Sequence, residues 1–335
     1  MLEMKDPSRF LVSLGATGLA LSALVVLAGC GETTTAKNAA IPAVTPSATT
    51  RTPQPTTSPL PSQAEVGRQL RHLEQRHHGR IGAYAIDTGT GRTVSHRAGE
   101  LFPTLSTFKA MVCAAVLRKA RQSDPGLMDR VVHYGGDDLV DYSPVTEKHV
   151  DTGMTVAELC EAAITVSDNT AGNLLLKQIG GPAGLTAFYR SLGDSVSRLD
   201  RWETGLNVWK PGEKRDTTSP AAYARDLRAL TLSDALEPAD RTRLVGWMND
   251  AETGDARVRA GLPREWTVGD KTGTGPTYGT TNDIAVIRPP SGAPVIMVIL
   301  TNRRTADGAS DDKVVAETAV ILARGLGRTD QGATG

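Results

Sequence analysis

Charge of one sign is what this chain of 335 residues lacks most plainly. Lys plus Arg and Asp plus Glu are both 37, a formal net charge of +0. No stretch reads as a basic stripe, which argues against nucleic acid as a partner. Histidine is scarce too, and none of the six falls in a ligand-spaced cluster with Asp, which argues against a zinc hydrolase. His72, His77, His78 and His96 lie on surface-like helix or hairpin stretches, and His133 and His149 in polar loops. Solvated side chains are the expectation for them, and a Ser-His-Asp triad finds no positioned histidine. Cysteine is limited to Cys30, Cys113 and Cys160. Residues 31–62, "GETTTAKNAAIPAVTPSATTRTPQPTTSPLPS", have no aromatic residue and are rich in Thr and Pro. Such a stretch buries too little to offset its ordering entropy, and proline extends it.

What is present begins at the N-terminus. Lys5 and Arg9 precede the apolar run "FLVSLGATGLALSALVVLAGC", which reads as an export signal. Its end, "LAGC", resembles a lipobox, in which Cys30 is lipidated; a plain signal peptide or a membrane anchor are the alternatives. The expected organisation is a lipoprotein-type signal over 1–30, a disordered linker over 31–63 that lifts a folded domain off a membrane, that folded domain over 64–328, and a flexible tail over 329–335. With Cys30 set aside, Cys113 and Cys160 remain. In an oxidising compartment they form either a disulfide or two buried free thiols.

An apolar content of 39% is enough for a core. "AEVGRQLRHLEQRHH" spaces Val66, Leu70 and Leu73 as a helix. "RIGAYAIDTGTGRTVSHRAGE" reads as two strands around a Gly-Thr-Gly turn. Helical patterns dominate 106–250, and strands return at "WTVGDKTGTG", "TNDIAVIRP" and "PVIMVILTN" before a last helix in "DDKVVAETAVILARGLG". The fold class expected is α+β: an antiparallel sheet flanked by terminal helices (64–100 and 251–328), plus a mainly helical lobe (101–250), with the site in the cleft between them.

In "TLSTFKA", Ser106 stands three residues before Lys109. A chain of this length holds about one such pair by chance, and Ser310 with Lys313 is a second. Ser310 just precedes the last helix and is expected to cap it. Ser106 also opens a helix, but among apolar neighbours. There a buried lysine loses affinity for its proton and can activate a serine. Three further patterns follow in order: "SDN" (Ser167 to Asn169), "RWETGLN" with Glu203 and Asn207, and "DKTGTG" with Lys271, Thr272 and Gly273.

This set resembles the class A serine β-lactamases, within the wider group that includes penicillin-binding proteins. The similarity runs from about residue 64 to 327, through "YSPVTEKHVDTGMTVAELCEAAITVSDNTAGNLLL" and "YGTTNDIAVI". It implies hydrolysis of β-lactam antibiotics with no cofactor, by a monomer; the lipobox adds the expectation that its lipid holds it at the outer face of the cytoplasmic membrane. It implies roles as well. Ser106 is the nucleophile, Lys109 its activator, and Ser167 the proton relay to the leaving nitrogen. Glu203, with Asn207, activates the water that releases the acyl group. The backbone N–H groups of Ser106 and Thr274 make the oxyanion hole. Asn169 holds the substrate's side-chain amide, Tyr142 walls the cleft, and Lys271, Thr272 and Arg257 take the substrate carboxylate. An Arg201–Asp216 ion pair pins the loop over 199–216, and Cys113 and Cys160 match a disulfide found in some members. Thr204 stands where many members have proline, and Pro276 looks like an insertion at the cleft rim. A D,D-peptidase shares three of the motifs, and Glu203 argues against it; a β-lactam sensor that acylates without turnover is the other alternative.

Overall fold

The structure, a computed structural model, describes residues 60–328, so Cys30, most of the Thr/Pro-rich stretch and the tail 329–335 lie outside the described residues. In chain order the helices are α1 (Gln63–His77), α2 (Phe108–Gln122), α3 (Val156–Thr165), α4 (Asn169–Gln178), α5 (Gly181–Ser191), α6 (Pro220–Leu232), α7 (Pro238–Asn249) and α8 (Asp312–Leu326). The strands are β1 (Gly79–Asp87), β2 (Thr93–His96), β3 (Phe102–Pro103), β4 (Val131–Val132), β5 (Met154–Thr155), β6 (Thr217–Thr218), β7 (Thr267–Thr274), β8 (Thr281–Arg288) and β9 (Val295–Arg303). The N-terminal hairpin and the C-terminal strands share one sheet, ordered β2-β1-β9-β8-β7. Every neighbouring pair in it is antiparallel.

Successive residues of a strand point to opposite faces, and this sheet uses both. Val295, Met297 and Ile299 of β9 join α1 and α8 in one core, through Val66, Leu70, Leu73, Val315 and Leu322. Ile296, Val298 and Leu300 face the other way and join the core of the helical region. Helix α6 packs against β1, β8 and β9 on that second side. The sheet is therefore a wall shared by two cores, which explains why β8 and β9 are buried along nearly their whole length.

Helix α2 runs through the helical region with every residue from Phe108 to Leu117 buried, a helix apolar almost all round. Its buried lysine, Lys109, is the exception in that composition.

Three expectations need correction here. His96, expected to be solvated, has a nearly buried side chain, its Nε2 3.3 Å from Glu74 Oε2. His77 is buried, not solvated: the end of α1 packs on the start of α8, where His77 Nδ1 lies 3.2 Å from Asp311 Oδ2. Burial, then the nearby Arg303, pushes its pKa down. The cap of α8 is Asp311, whose Oδ1 accepts from Lys313 N at 3.1 Å, and not Ser310. A carboxylate at that position suits the positive end of the helix dipole.

Candidate active site

Ser106 sits in a short turn leading into α2, and Lys109 one turn further on. The helical rise brings Lys109 Nζ to 2.9 Å from Ser106 Oγ. Other elements converge on that ammonium. Ser167 O lies at 2.7 Å and Asn169 Oδ1 at 2.5 Å, both from the junction of α3 and α4. Glu203 Oε1 lies 3.2 Å from it and 3.3 Å from Ser106 Oγ. Burial pushes the Lys109 pKa down, and Glu203 opposes the shift. The second lysine, Lys271 on β7, donates to Ser167 Oγ at 3.0 Å. Its pKa is pushed down to about 7, first by burial and then by the charge of Lys109. Ser167 Oγ thus lies between two lysines, with Lys109 Nζ at 3.4 Å.

Glu203 is immobilised from three directions. Asn207 Nδ2 donates to its Oε2 at 2.6 Å. Asn173 of α4 clamps its backbone, accepting from Glu203 N at 2.9 Å and donating to Glu203 O at 3.0 Å. The carrying loop is closed at its base by Arg201 Nε on Asp216 Oδ2 at 2.6 Å, while Asp216 Oδ1 accepts from the backbone N–H groups of Asp200 and Arg201. The Glu203–Thr204 peptide is cis.

Backbone strain marks the same region. Leu105, Tyr142, Ser167 and Asp216 all have positive φ, between 51° and 65°. Non-glycine residues in this conformation cost about 1–3 kcal/mol each and persist only where the surroundings impose them. Gly273 shows how tight the site is: a Cβ there would lie 2.9 Å from Leu105 Cβ and 3.3 Å from Ser106 N. Only glycine lets β7 run this close to the Ser106 backbone.

Ser106, Ser167, Asn169 and Gly273 line a cavity of about 370 Å³ with Tyr142, Asn207, Thr272 and Thr274. Arg257 reaches it from the segment after α7. It donates to the carbonyls of Gly273 and Asn282, to Thr274 Oγ1 at 2.6 Å, and to Asp312 Oδ1.

The matching family model is the β-lactamase enzyme family, over residues 65–325. The chain is 51% identical over 273 residues to the β-lactamase AST-1 of Nocardia asteroides, covering 82% of this chain and 87% of that one. It is 49% identical over 266 residues to the carbapenem-hydrolyzing β-lactamase KPC of Klebsiella oxytoca, covering 79% and 90%. Among solved structures, a β-lactamase from Streptosporangium roseum is 64% identical with a TM-score of 0.78, covering 79% of this chain and 99% of that one. An ancestral Gram-negative class A enzyme is 56% identical with a TM-score of 0.73, covering 77% and 98%. The chain belongs to the class A β-lactamases.

Cys113 of α2 and Cys160 of α3 are adjacent but both are free, buried thiols. Cys113 Sγ lies 3.7 Å from the Cys160 carbonyl oxygen as a donor. Burial pushes the Cys113 pKa up. Asn169 and Arg257 are more fully engaged than their motifs suggest. Asn169 joins Lys109 to the Asp141 carbonyl, to which its Nδ2 donates at 2.7 Å. Arg257 spends four of its five N–H groups on the protein.

Sequence reasoning missed three contributors to this β-lactamase site. Asn173 was detectable, four residues after Asn169 and so on the same helical face. Asp168 caps α4 through Ala171 N and accepts from Val145 N and Thr146 N, tying the Tyr142 loop to the Ser167 turn. Thr253 lines the cavity and carries no motif.

Proposed function

We propose that this β-lactamase hydrolyses penicillins and cephalosporins through an acyl-enzyme on Ser106. Lys109 takes the Ser106 proton as Oγ attacks the lactam carbonyl. The C–N bond breaks and the nitrogen receives a proton through Ser167, whose hydroxyl lies between Lys109 and Lys271. The developing oxyanion is met by the backbone N–H groups of Ser106 and Thr274, preorganised donors that need no rearrangement during reaction. Thr274 adds a hydroxyl beside that site, which favours cephalosporins. Asn169 receives the side-chain amide, Tyr142 flanks the ring system, and Lys271, Thr272 and Arg257 hold the carboxylate. Glu203 then takes a proton from a water that attacks the ester carbonyl, and passes it to Ser106 Oγ, 3.3 Å away, as the C–O bond breaks.

The observation that carries this reading is the placement of Glu203. A buried carboxylate fixed by Asn207 stands 3.3 Å from the nucleophile's oxygen, where a general base for deacylation must be. A D,D-peptidase or a sensor acylates without needing such a base. Following penicillin consumption against enzyme concentration separates these readings. Many equivalents consumed at a steady rate support the hydrolase; a burst of one equivalent followed by silence refutes it.

Export and lipid attachment at Cys30, holding a monomeric enzyme at the outer face of the cytoplasmic membrane where it gives antibiotic resistance, complete the proposal. They are supported by "LAGC" after an apolar run and by the Thr/Pro-rich spacer. Mass spectrometry of the N-terminal peptide tests the lipidation.

A further inference from the structure

Thr253 has no part in the roles above, yet its side chain meets the centre of the carboxylate site. Its Oγ1 lies 2.6 Å from Thr272 Oγ1, and neither hydroxyl has another protein partner among the described residues. The segment carrying it is held firmly. Glu252 N donates to Thr165 O at 2.9 Å, and Arg257 N to Gly254 O at 3.0 Å. A Cβ on Gly254 would collide with the Asp270 carboxylate, so this segment lies directly against β7.

A hydroxyl has one proton to give, and a carboxylate only accepts. When Thr272 donates to a substrate carboxylate, its oxygen is left as the acceptor in the contact with Thr253, and Thr253 must be the donor. We infer that Thr253 is a positioning residue whose hydroxyl donates to Thr272 and thereby directs the Thr272 proton onto the substrate carboxylate. The inference rests on the carboxylate site proposed for Lys271 and Thr272. It makes Thr253 a determinant of affinity for anionic β-lactams, acting through its neighbour and outside the acyl chemistry. Hydrogen bonds in a chain polarise one another, so the donor behind Thr272 strengthens the bond in front of it.

The experiment is steady-state kinetics on a penicillin with Thr253→Val, Thr253→Ser, Thr272→Val and the double valine variant. Thr253→Val should raise KM by about three- to tenfold, the range for one neutral hydrogen bond, with kcat unchanged; Thr253→Ser should restore KM. In the Thr272→Val background, Thr253→Val should add nothing, because no hydroxyl remains to orient. A KM increase that keeps its full size in that background, a loss expressed in kcat, or no change at all overturns the inference. Failure of the underlying site looks different: Thr272→Val alone would then leave KM unaltered, and the inference falls with it.

Discussion

Replacing Glu203 by Gln removes one charge and little volume, and the surrounding geometry sets what should follow. Acylation keeps its own base, since Lys109 Nζ remains 2.9 Å from Ser106 Oγ. It gains availability as well. Glu203 is the main influence holding the Lys109 pKa up against burial, so its loss moves that pKa further down and enlarges the neutral fraction. Deacylation has no comparable substitute. Asn207 donates to Glu203 Oε2 through Nδ2, and an amide at 203 cannot take a proton from water. General base catalysis is worth typically 10²–10⁴-fold, about 3–5 kcal/mol of barrier at 1.36 kcal/mol per tenfold. The Glu203→Gln protein should therefore accumulate as a covalent adduct. Intact-mass spectrometry after mixing with a penicillin should show one added equivalent of the whole drug, persisting while the wild type returns to its free mass. Stopped-flow should show acylation within a few-fold of wild type. Unreduced kcat with no adduct would refute the assignment of Glu203 as the deacylation base.

Other consequences are open to measurement. Arg201→Ala leaves the buried Asp216 carboxylate without its ion pair, and breaking such a pair should cost about 3 kcal/mol, read as a lowered urea midpoint with little change in the slope. Lys271 loses its proton as pH rises through about 7 in the free enzyme, surrounded by Lys109, Asp270, Arg257 and Asp283. Because its folded pKa is depressed, the cationic form that attracts a carboxylate is present below that pH, so kcat/KM for anionic β-lactams should fall on the alkaline side; a flat profile to pH 9 would contradict this. With Cys113 and Cys160 both free, a reductant should leave Tm unchanged, and a drop of several degrees would indicate a disulfide. Gly273→Ala forces β7 away from Leu105 and the Ser106 backbone; loss of an oxyanion donor's geometry should slow acylation on the order of 10²-fold, with far-UV circular dichroism unaltered.

The residues that the structure brings together around Ser106 were legible in sequence because several are local. Ser106 and Lys109 share a helical face by spacing alone, and Ser167 with Asn169 straddles the start of α4. The shared antiparallel sheet followed from hairpin patterns at both ends of the domain. Family similarity then supplied roles that no spacing could have supplied.

Tertiary structure decided the rest, and the physical reason is that desolvation and contact belong to the surroundings of a group, not to its type. Lys109 and Lys271 are ordinary lysines in sequence; packing buries both against Ser167 and so changes their proton affinity. His77 carries the composition of a surface residue but lies under the start of α8. Cys113 and Cys160 are 47 positions apart in sequence, and only the packing of α2 on α3 brings them together. Asn173 on Glu203, and Thr253 on Thr272, join residues 30 and 19 positions apart. Hydrophobic periodicity tells which face of an element is buried, but what lies across from that face is set only when the elements meet.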